Sequence, residues 1–336
     1  GIIGWIDGSG GNGKTIALRA DMDALPVQEA NDLPFKSCRD GKMHACGHDL
    51  HMAALLGAAR ILQSMRDTFA GKILLIFQPA EEKLPGGAHM MIAEGALNDP
   101  KPSLIIGQHV MPRLTAGKVG YRPGMYMASS DEIYITIKGK GGHGAMPHHT
   151  VDPVLIAAHL IVSLQQIVSR HADPAIPSVL SFGKVVAAGA TNVIPQEVKL
   201  EGTFRTMKES WRDEAHRLIR TISEHTAAGM GGSVDVNILR GYPVLYNDET
   251  ATGKAAAWSA ALLGAAQVEA LDLRMTSEDF AYYSAVAPTV FYRFGTTDPD
   301  DIFVSPLHSP TFMVDETSLE TAMANLAWLA LNFMQE

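Results

Sequence analysis

The chain has 336 residues, enough for two domains of ordinary size. Hydrophobic residues make up 46% and charged residues 19%, which supports a buried core and argues against disorder. The net charge is -9 with no run of lysine or arginine, which excludes the usual signature of a nucleic-acid or anionic-membrane partner.

The chain opens with Ile2 to Ile6, an apolar stretch, and then Gly8 to Thr15, which matches the phosphate-binding pattern G-x-x-x-x-G-K-[ST]. Such a loop must open a helix, whose N-terminus holds the phosphate. Ile16 to Ala20 reads instead as a strand, so a glycine-rich hairpin is expected, with a nucleotide hydrolase as the rival reading. Asp21 and Asp23 follow that strand. Asp49 to Met65 has helical spacing. Lys72 to Phe77 (KILLIF) is a continuous apolar run of the kind buried on both faces of a parallel sheet. Gly87 to Leu97 reads as a second helix and Ser103 to Gly107 as a third strand. This alternation predicts an α/β layer with a mostly parallel sheet. Asp21 and Asp23, Glu81 and Glu82, and His109 then fall at three strand exits, where open α/β sheets bind ligands.

Near residue 120 the pattern changes. Asp131 to Lys138 alternates like a half-exposed strand. Asp152-Pro153 has the form of an N-cap with proline in the first turn, and the helix should run to about Arg170. Ser178 to Val186 and Glu197 to Thr206 read as strands. Ser210 with Asp213 resembles a capping box for a helix ending near Gly229, and Ser233 to Leu239 is another strand. The order β-α-β-β-α-β is ferredoxin-like. A helix over 249–263, a helix near Ser277 to Val286, a strand Thr289 to Phe294, a loop with His308 and a last helix from about Asp315 follow. The expected division is 1–120 and 241–336 for the first domain, with 121–240 inserted into it.

No apolar run reaches the roughly 18 residues of a membrane span, and Gly1-Ile2-Ile3-Gly4-Trp5 lacks the basic start of a signal peptide. Cys38 and Cys46 are too few for a disulfide framework, so a reducing, cytoplasmic setting is expected.

If His44 to His48 is extended, Cys46 and His48 share a face, and thiolate with imidazole suits zinc and similar metals. A buried cysteine beside a hydrogen-bonded histidine is the plain alternative. Glu81 and Glu82 would point to opposite sides of an extended segment, one toward metal and the other toward a water. Asp21 and Asp23 could share a face, one of them orienting a ligand histidine, or could cap a turn. His44 and His51 are read as structural.

The strings LRADMDALP (18–26), MHACGHDLHMAALLGAA (43–59), FQPAEE (77–82), GGHGAMPHHTVDP (141–153), NVIPQ (192–196), GTFR (202–205), SEDF (277–280) and LHSP (307–310) resemble the bacterial and plant N-acyl-amino-acid amidohydrolases. That group, with hippurate hydrolase and the auxin-conjugate hydrolases, sits in the wider aminoacylase and carboxypeptidase G family of metallopeptidases. The resemblance implies a di-metal catalytic domain with an inserted ferredoxin-like α+β lid or dimerisation domain. It implies two divalent ions, zinc or manganese, with cobalt or nickel as further choices. Cys46, His48, Glu82, His109 and His308 would be the ligands, Glu81 the general base and Asp23 a supporting carboxylate. His143 would polarise the scissile carbonyl, reaching the site from a partner subunit of a homodimer. Asn192 and Arg205 would hold the substrate carboxylate. Relatives usually begin some tens of residues earlier, with a helical segment. The expected reaction is cleavage of N-acyl-amino acids, a small-molecule substrate class. A dipeptidase or carboxypeptidase on the same site, and a non-catalytic binding protein on the same scaffold, are the alternatives.

Overall fold

The computed structural model describes residues 1–298, 300 and 305–336. Its strands in chain order are β1 (Ile2–Asp7), β2 (Thr15–Asp21), β3 (Lys72–Gln78), β4 (Leu104–Thr115), β5 (Val119–Tyr121), β6 (Gly124–Met127), β7 (Asp131–Lys138) and β8 (Gly142–His143). They continue with β9 (Ser178–Ala187), β10 (Val193–Ile194), β11 (Glu197–Thr206), β12 (Ser233–Arg240), β13 (Leu245–Asn247), β14 (Val268–Ala270) and β15 (Thr289–Thr297). The α-helices are α1 (His48–Ser64), α2 (Gly87–Ala93), α3 (Pro153–Leu164), α4 (Glu209–Gly229), α5 (Glu249–Leu263) and α6 (Ser318–Gln335). The chain divides into two compact units. One comprises Gly1–Tyr126, Leu245–Leu273 and Glu278–Glu336; the other comprises Met127–Val244 and Arg274–Ser277. The breaks thus fall a few residues after 120 and 240, and a four-residue stretch from the third segment joins the second unit.

The first unit is built on a seven-stranded sheet of order β1-β3-β2-β4-β15-β5-β14. Its central pairs β3–β2, β2–β4 and β4–β15 are parallel. β2 is buried along its whole length. Ile16, Leu18 and Ala20 join a core with Leu55, Ala58 and Leu62 of α1 and Leu326 and Ala330 of α6. The alternate residue Arg19 is also fully buried, so the opposite face of this strand carries charge rather than only apolar atoms.

The expected hairpin does not form. β1 pairs antiparallel with β3, on the side away from β2. The glycine-rich segment crosses the start of β3, where Gly8 donates to Gly71 O and Gly71 donates to Gly11 O. Gly71 has φ +87°, and a Cβ there would lie 2.2 Å from the Lys14 carbonyl oxygen, so only glycine fits the crossing. Lys14-Thr15 runs into a strand, so no helix N-terminus is available to a phosphate, and the nucleotide-hydrolase reading falls.

The second unit has a four-stranded antiparallel sheet of order β12-β7-β11-β9, which is ferredoxin-like connectivity. Ile133, Ile135 and Ile137 of β7 face inward against Ile156 and Leu160 of α3 and Ala215 and Ile219 of α4. Asp152 caps α3, accepting from the amides of Val154 and Leu155. Together with the π-helical turn Ile167–His171, α3 lies in a helical segment of 19 residues, Pro153–His171, long and apolar enough by length and composition to cross a membrane, contrary to the expectation that no run reaches that length. Ile156, Ala157, Leu160 and Leu164 cover the sheet, while Val154, Leu155 and Val162 are exposed. Ser210 and Asp213 form no capping box: α4 starts without a side-chain cap, and Asp213 pairs with Arg240 instead. Two expected helices shorten, α2 ending at Ala93 and the segment near Ser277 becoming 3-10 turns over Asp279–Ala285.

Candidate metal centre and its buried charge

Strand register builds the site. β2 and β4 are in step up to Arg19 opposite Gly107, and β2 and β3 up to Asp21 opposite Gln78. Just beyond these positions β2 ends, while β4 continues to Thr115 beside β15. His109 therefore lies inside β4 rather than after it, at a depth matching Asp21. Gly47 (φ +78°) then turns the chain into α1, so Cys46 and His48 are brought together by a helix start and not by an extended segment. A Cβ on Gly47 would lie 2.8 Å from both methyls of Val110, so a larger residue would push the Cys46-Gly47-His48 turn off β4.

Potential donor atoms of Cys46, His48 and His109 all lie within 4.8 Å of one another, and so do those of Cys46, Glu82 and His308. Cys46 is common to both triads. Cys46 Sγ is 3.5 Å from His109 Nε2, and His308 Nε2 is 3.1 Å from Glu82 Oε1. His109 Nδ1 donates to the Val110 carbonyl at 2.8 Å, which leaves its Nε2 as the bare nitrogen. Both ring nitrogens of His48 are buried without a hydrogen-bond partner, and Glu82 Oε1 is buried facing His308 Nε2. Buried polar atoms are normally satisfied, so unpartnered imidazole nitrogens converging with a carboxylate on a thiol fit a soft-to-borderline divalent cation.

Asp23 holds the glutamate pair. Its Oδ1 accepts from the Glu81 amide at 3.1 Å and its Oδ2 from the Glu82 amide at 2.9 Å. Its Oδ1 also lies 3.4 Å from His48 Nδ1. Ala80, just before the pair, has φ +54°, and His308 has φ +63°. Left-handed backbone costs a non-glycine residue about 1–2 kcal/mol, and here it aims side chains from two loops into one site. His308 is also tied down by its amide, which donates to Ala45 O at 2.8 Å.

Beneath the glutamates lies a charge cluster that sequence reading did not find. The buried Arg19 meets Asp21 at 2.6 Å, Asp279 at 2.9 Å and Glu278 at 3.0 Å. Gln78 accepts from Arg19 Nε and donates to Asp279. Donor oxygens of Glu81, Glu278 and Asp279 lie within 4.8 Å of one another. Burial, with Glu278, Asp279 and Glu82 adding repulsion, holds the Glu81 carboxyl well above the usual range. Burial likewise pushes Glu278 up to about 7, against the pull of Arg19. Burial by itself would lower His48, but Asp21, Asp23 and Glu82 together raise it to about 9. Burial, then Glu82, Glu81 and Asp21, push the Cys46 thiol up. Carboxyl groups that outnumber the buried Arg19 and Arg293, beside a thiol and imidazoles, give a site suited to receiving cations. The signals for this cluster were the arginine inside an otherwise apolar strand and the adjacent acids of SEDF.

The remaining expected residues lie in the second unit. His143 is exposed on the short ribbon β8–β10, where it pairs with Val193. The amide of Gly144 donates to Asn192 O at 2.8 Å, which places Asn192 beside His143. Arg205 lies on β11, with Nη1 donating to Met275 O at 3.2 Å and to Ser277 Oγ at 3.3 Å. His51, read as structural, is fully buried and bonded to Asp21.

A mostly parallel sheet with thiol, imidazole and carboxylate donors converging beside its central strands can hold divalent metal, and the family match makes the chain a metal-dependent hydrolase acting on amide bonds. The profile of Peptidase family M20/M25/M40 matches residues 17–332, and the chain belongs to that family. It is 42% identical over 309 residues to the N-acetyl-L-cysteine deacetylase of Bacillus subtilis, covering 91% of this chain and 71% of that protein. It is 45% identical over 238 residues to the N-acyl-L-amino acid amidohydrolase of Geobacillus stearothermophilus, covering 70% and 64%. The crystal structure of a dinuclear metal-binding M20 peptidase from Bacillus subtilis superposes with TM-score 0.82 at 36% identity, covering 99% of this chain and 85% of that one.

Proposed function

We propose that this protein is a metal-dependent amidohydrolase that cleaves N-acyl-amino acids to a carboxylate and a free amino acid. The observation that carries the reading is the pair of donor triads sharing Cys46 beside the buried Glu81. Names of relatives at 42% and 45% identity support the substrate class. Cys46, His48, Glu82, His109 and His308 would hold two divalent ions, with zinc or manganese preferred and cobalt or nickel tolerated, as the mixed thiolate, imidazole and carboxylate donors allow. When bound, such ions bring the pKa of a water toward neutrality and polarise the amide carbonyl.

The chain's own groups do the rest. Glu81 takes the proton of the water that attacks the amide carbon and returns it to the leaving amine nitrogen. Asp23 keeps Glu81 and Glu82 in place through their amides. His143, reaching the site of a partner subunit, would donate a hydrogen bond to the oxyanion. Arg205, with Asn192, grips the substrate carboxylate; a guanidinium fork suits that group. We further propose a homodimer assembled through the second unit, and a cytoplasmic setting in which Cys38 and Cys46 stay as the free thiols observed.

The test is kinetic and analytical together. Glu81→Gln should retain its metal by elemental analysis and lose turnover on N-acetyl- and N-benzoyl-amino acids by about 10²–10⁴-fold. Wild-type turnover in that variant removes the base assignment. Chelation should abolish activity, and readdition of single metals across an acyl-amino-acid panel should rank both metal and substrate.

A further inference from the structure

His51 is not among the residues assigned to metal or substrate, yet its contacts lead to His109. β2 stops pairing with β4 at Gly107, so on that side the buried Val110 amide has no strand partner. It donates instead to His51 Nε2 at 2.9 Å. An amide can only donate, so Nε2 is bare and His51 carries its proton on Nδ1. That proton faces Asp21 Oδ1 at 2.5 Å, and Asp21 is held by Arg19 at 2.6 Å. On the other side of Val110 Cα, the carbonyl can only accept. It takes the His109 Nδ1 proton at 2.8 Å, leaving His109 Nε2 bare toward Cys46 Sγ. The two rings also pack together, with centroids 4.7 Å apart.

We propose that His51 is a positioning residue that fixes the tautomer and direction of His109 through the backbone of Val110, with Asp21 and Arg19 as its anchor. The chain of bonds is continuous and each donor and acceptor is forced by a group with one role. Metal-ligating histidines generally need such support, and losing it weakens metal binding about 10–100-fold. The inference rests on the reading of His109 as a metal ligand.

The test begins with metal-free protein labelled with ¹⁵N-histidine. Long-range ¹H–¹⁵N spectra should show His51 and His109 each in the Nδ1–H form; finding His109 in the Nε2–H form overturns the proposal without any metal or activity assay. In His51→Leu, His109 should become a mixture of tautomers, and the affinity for one cobalt(II) equivalent should fall about 10–100-fold in competition with a chromogenic chelator. His51→Gln offers a side-chain carbonyl to the Val110 amide and should keep cobalt affinity within about threefold of wild type. If His51→Leu only melts earlier, with the wild-type tautomer and cobalt affinity, the residue is merely structural and the proposal fails. Should His51→Leu not fold, His51→Gln decides, because a tenfold loss there overturns it. An enzyme inactive on acyl-amino acids but with these tautomers would defeat the functional reading and leave the positioning role standing.

Discussion

Each unit buries an arginine against carboxylates, Arg19 in the first and Arg212 in the second, and the two are surrounded in opposite ways. Arg19 faces three carboxylates, with Glu81 next to them, and burial pushes Glu81, Glu278 and Asp279 upward. Arg212 meets one buried carboxylate, Asp131, which also takes His216 at 2.6 Å and the Gly241 amide. There burial would raise the Asp131 carboxyl, but His216 and Arg212 hold it below its usual range. The second cluster is neutralised from within and serves as a fastening between β7 and α4. The first has more carboxyl groups than arginines to offset them, and the donor triads sit against it. Excess buried charge marks a place where an ion is expected, while balanced buried charge marks structure.

This contrast can be broken by mutation. Arg19→Met strands several carboxylates in a dry interior and should destabilise the protein by about 3–5 kcal/mol in denaturant titration. A loss under about 1 kcal/mol would mean the cluster is not held by Arg19. Arg212→Met leaves Asp131 its histidine and an amide, so its cost should be smaller, about 1.5–3 kcal/mol. Equal losses would erase the proposed difference between the two clusters.

Titration sharpens the same comparison. Glu278 has a folded pKa raised to about 7, so the folded state holds its proton where the unfolded chain has released it. That contribution is present below the ordinary glutamate range and is lost as pH rises toward 7. In metal-free protein, the stability of wild type relative to Glu278→Gln should therefore decline between about pH 4.5 and 7. Asp131 has the opposite sign. Its folded pKa is depressed, so its contribution is present at neutral pH and is lost as pH falls below about 4. A wild-type minus Glu278→Gln difference that stays flat over the first window would contradict the raised carboxyl.

The smallest effects test helix starts in the second unit. Asp152→Ala removes two capping bonds from α3 and should cost about 1 kcal/mol. Ser210→Ala removes no cap from α4 and should stay within about 0.5 kcal/mol. A larger loss at Ser210 than at Asp152 would reverse the assignment of caps.

Periodicity and punctuation in the sequence determined most elements of this protein. The apolar run at Lys72–Phe77, the alternation of Asp131–Lys138 and the Asp152-Pro153 signal are local properties, and local properties survive translation into structure. The sequence also brought Cys46, His48, Glu81, Glu82, His109 and His308 forward by residue type and by resemblance. Only the tertiary structure decided how they meet. It placed β1 beyond β3, because a glycine crossing at Gly71 permits what a hairpin pattern does not reveal. It put His109 inside β4, because pairing with β15 continues after β2 has stopped. It joined Arg19 to Glu278 and Asp279 across 259 and 260 positions of sequence, a separation at which no spacing rule applies. Which carboxylates lose water, and so which hold a proton or await a cation, is a property of burial, and burial exists only once the chain has folded.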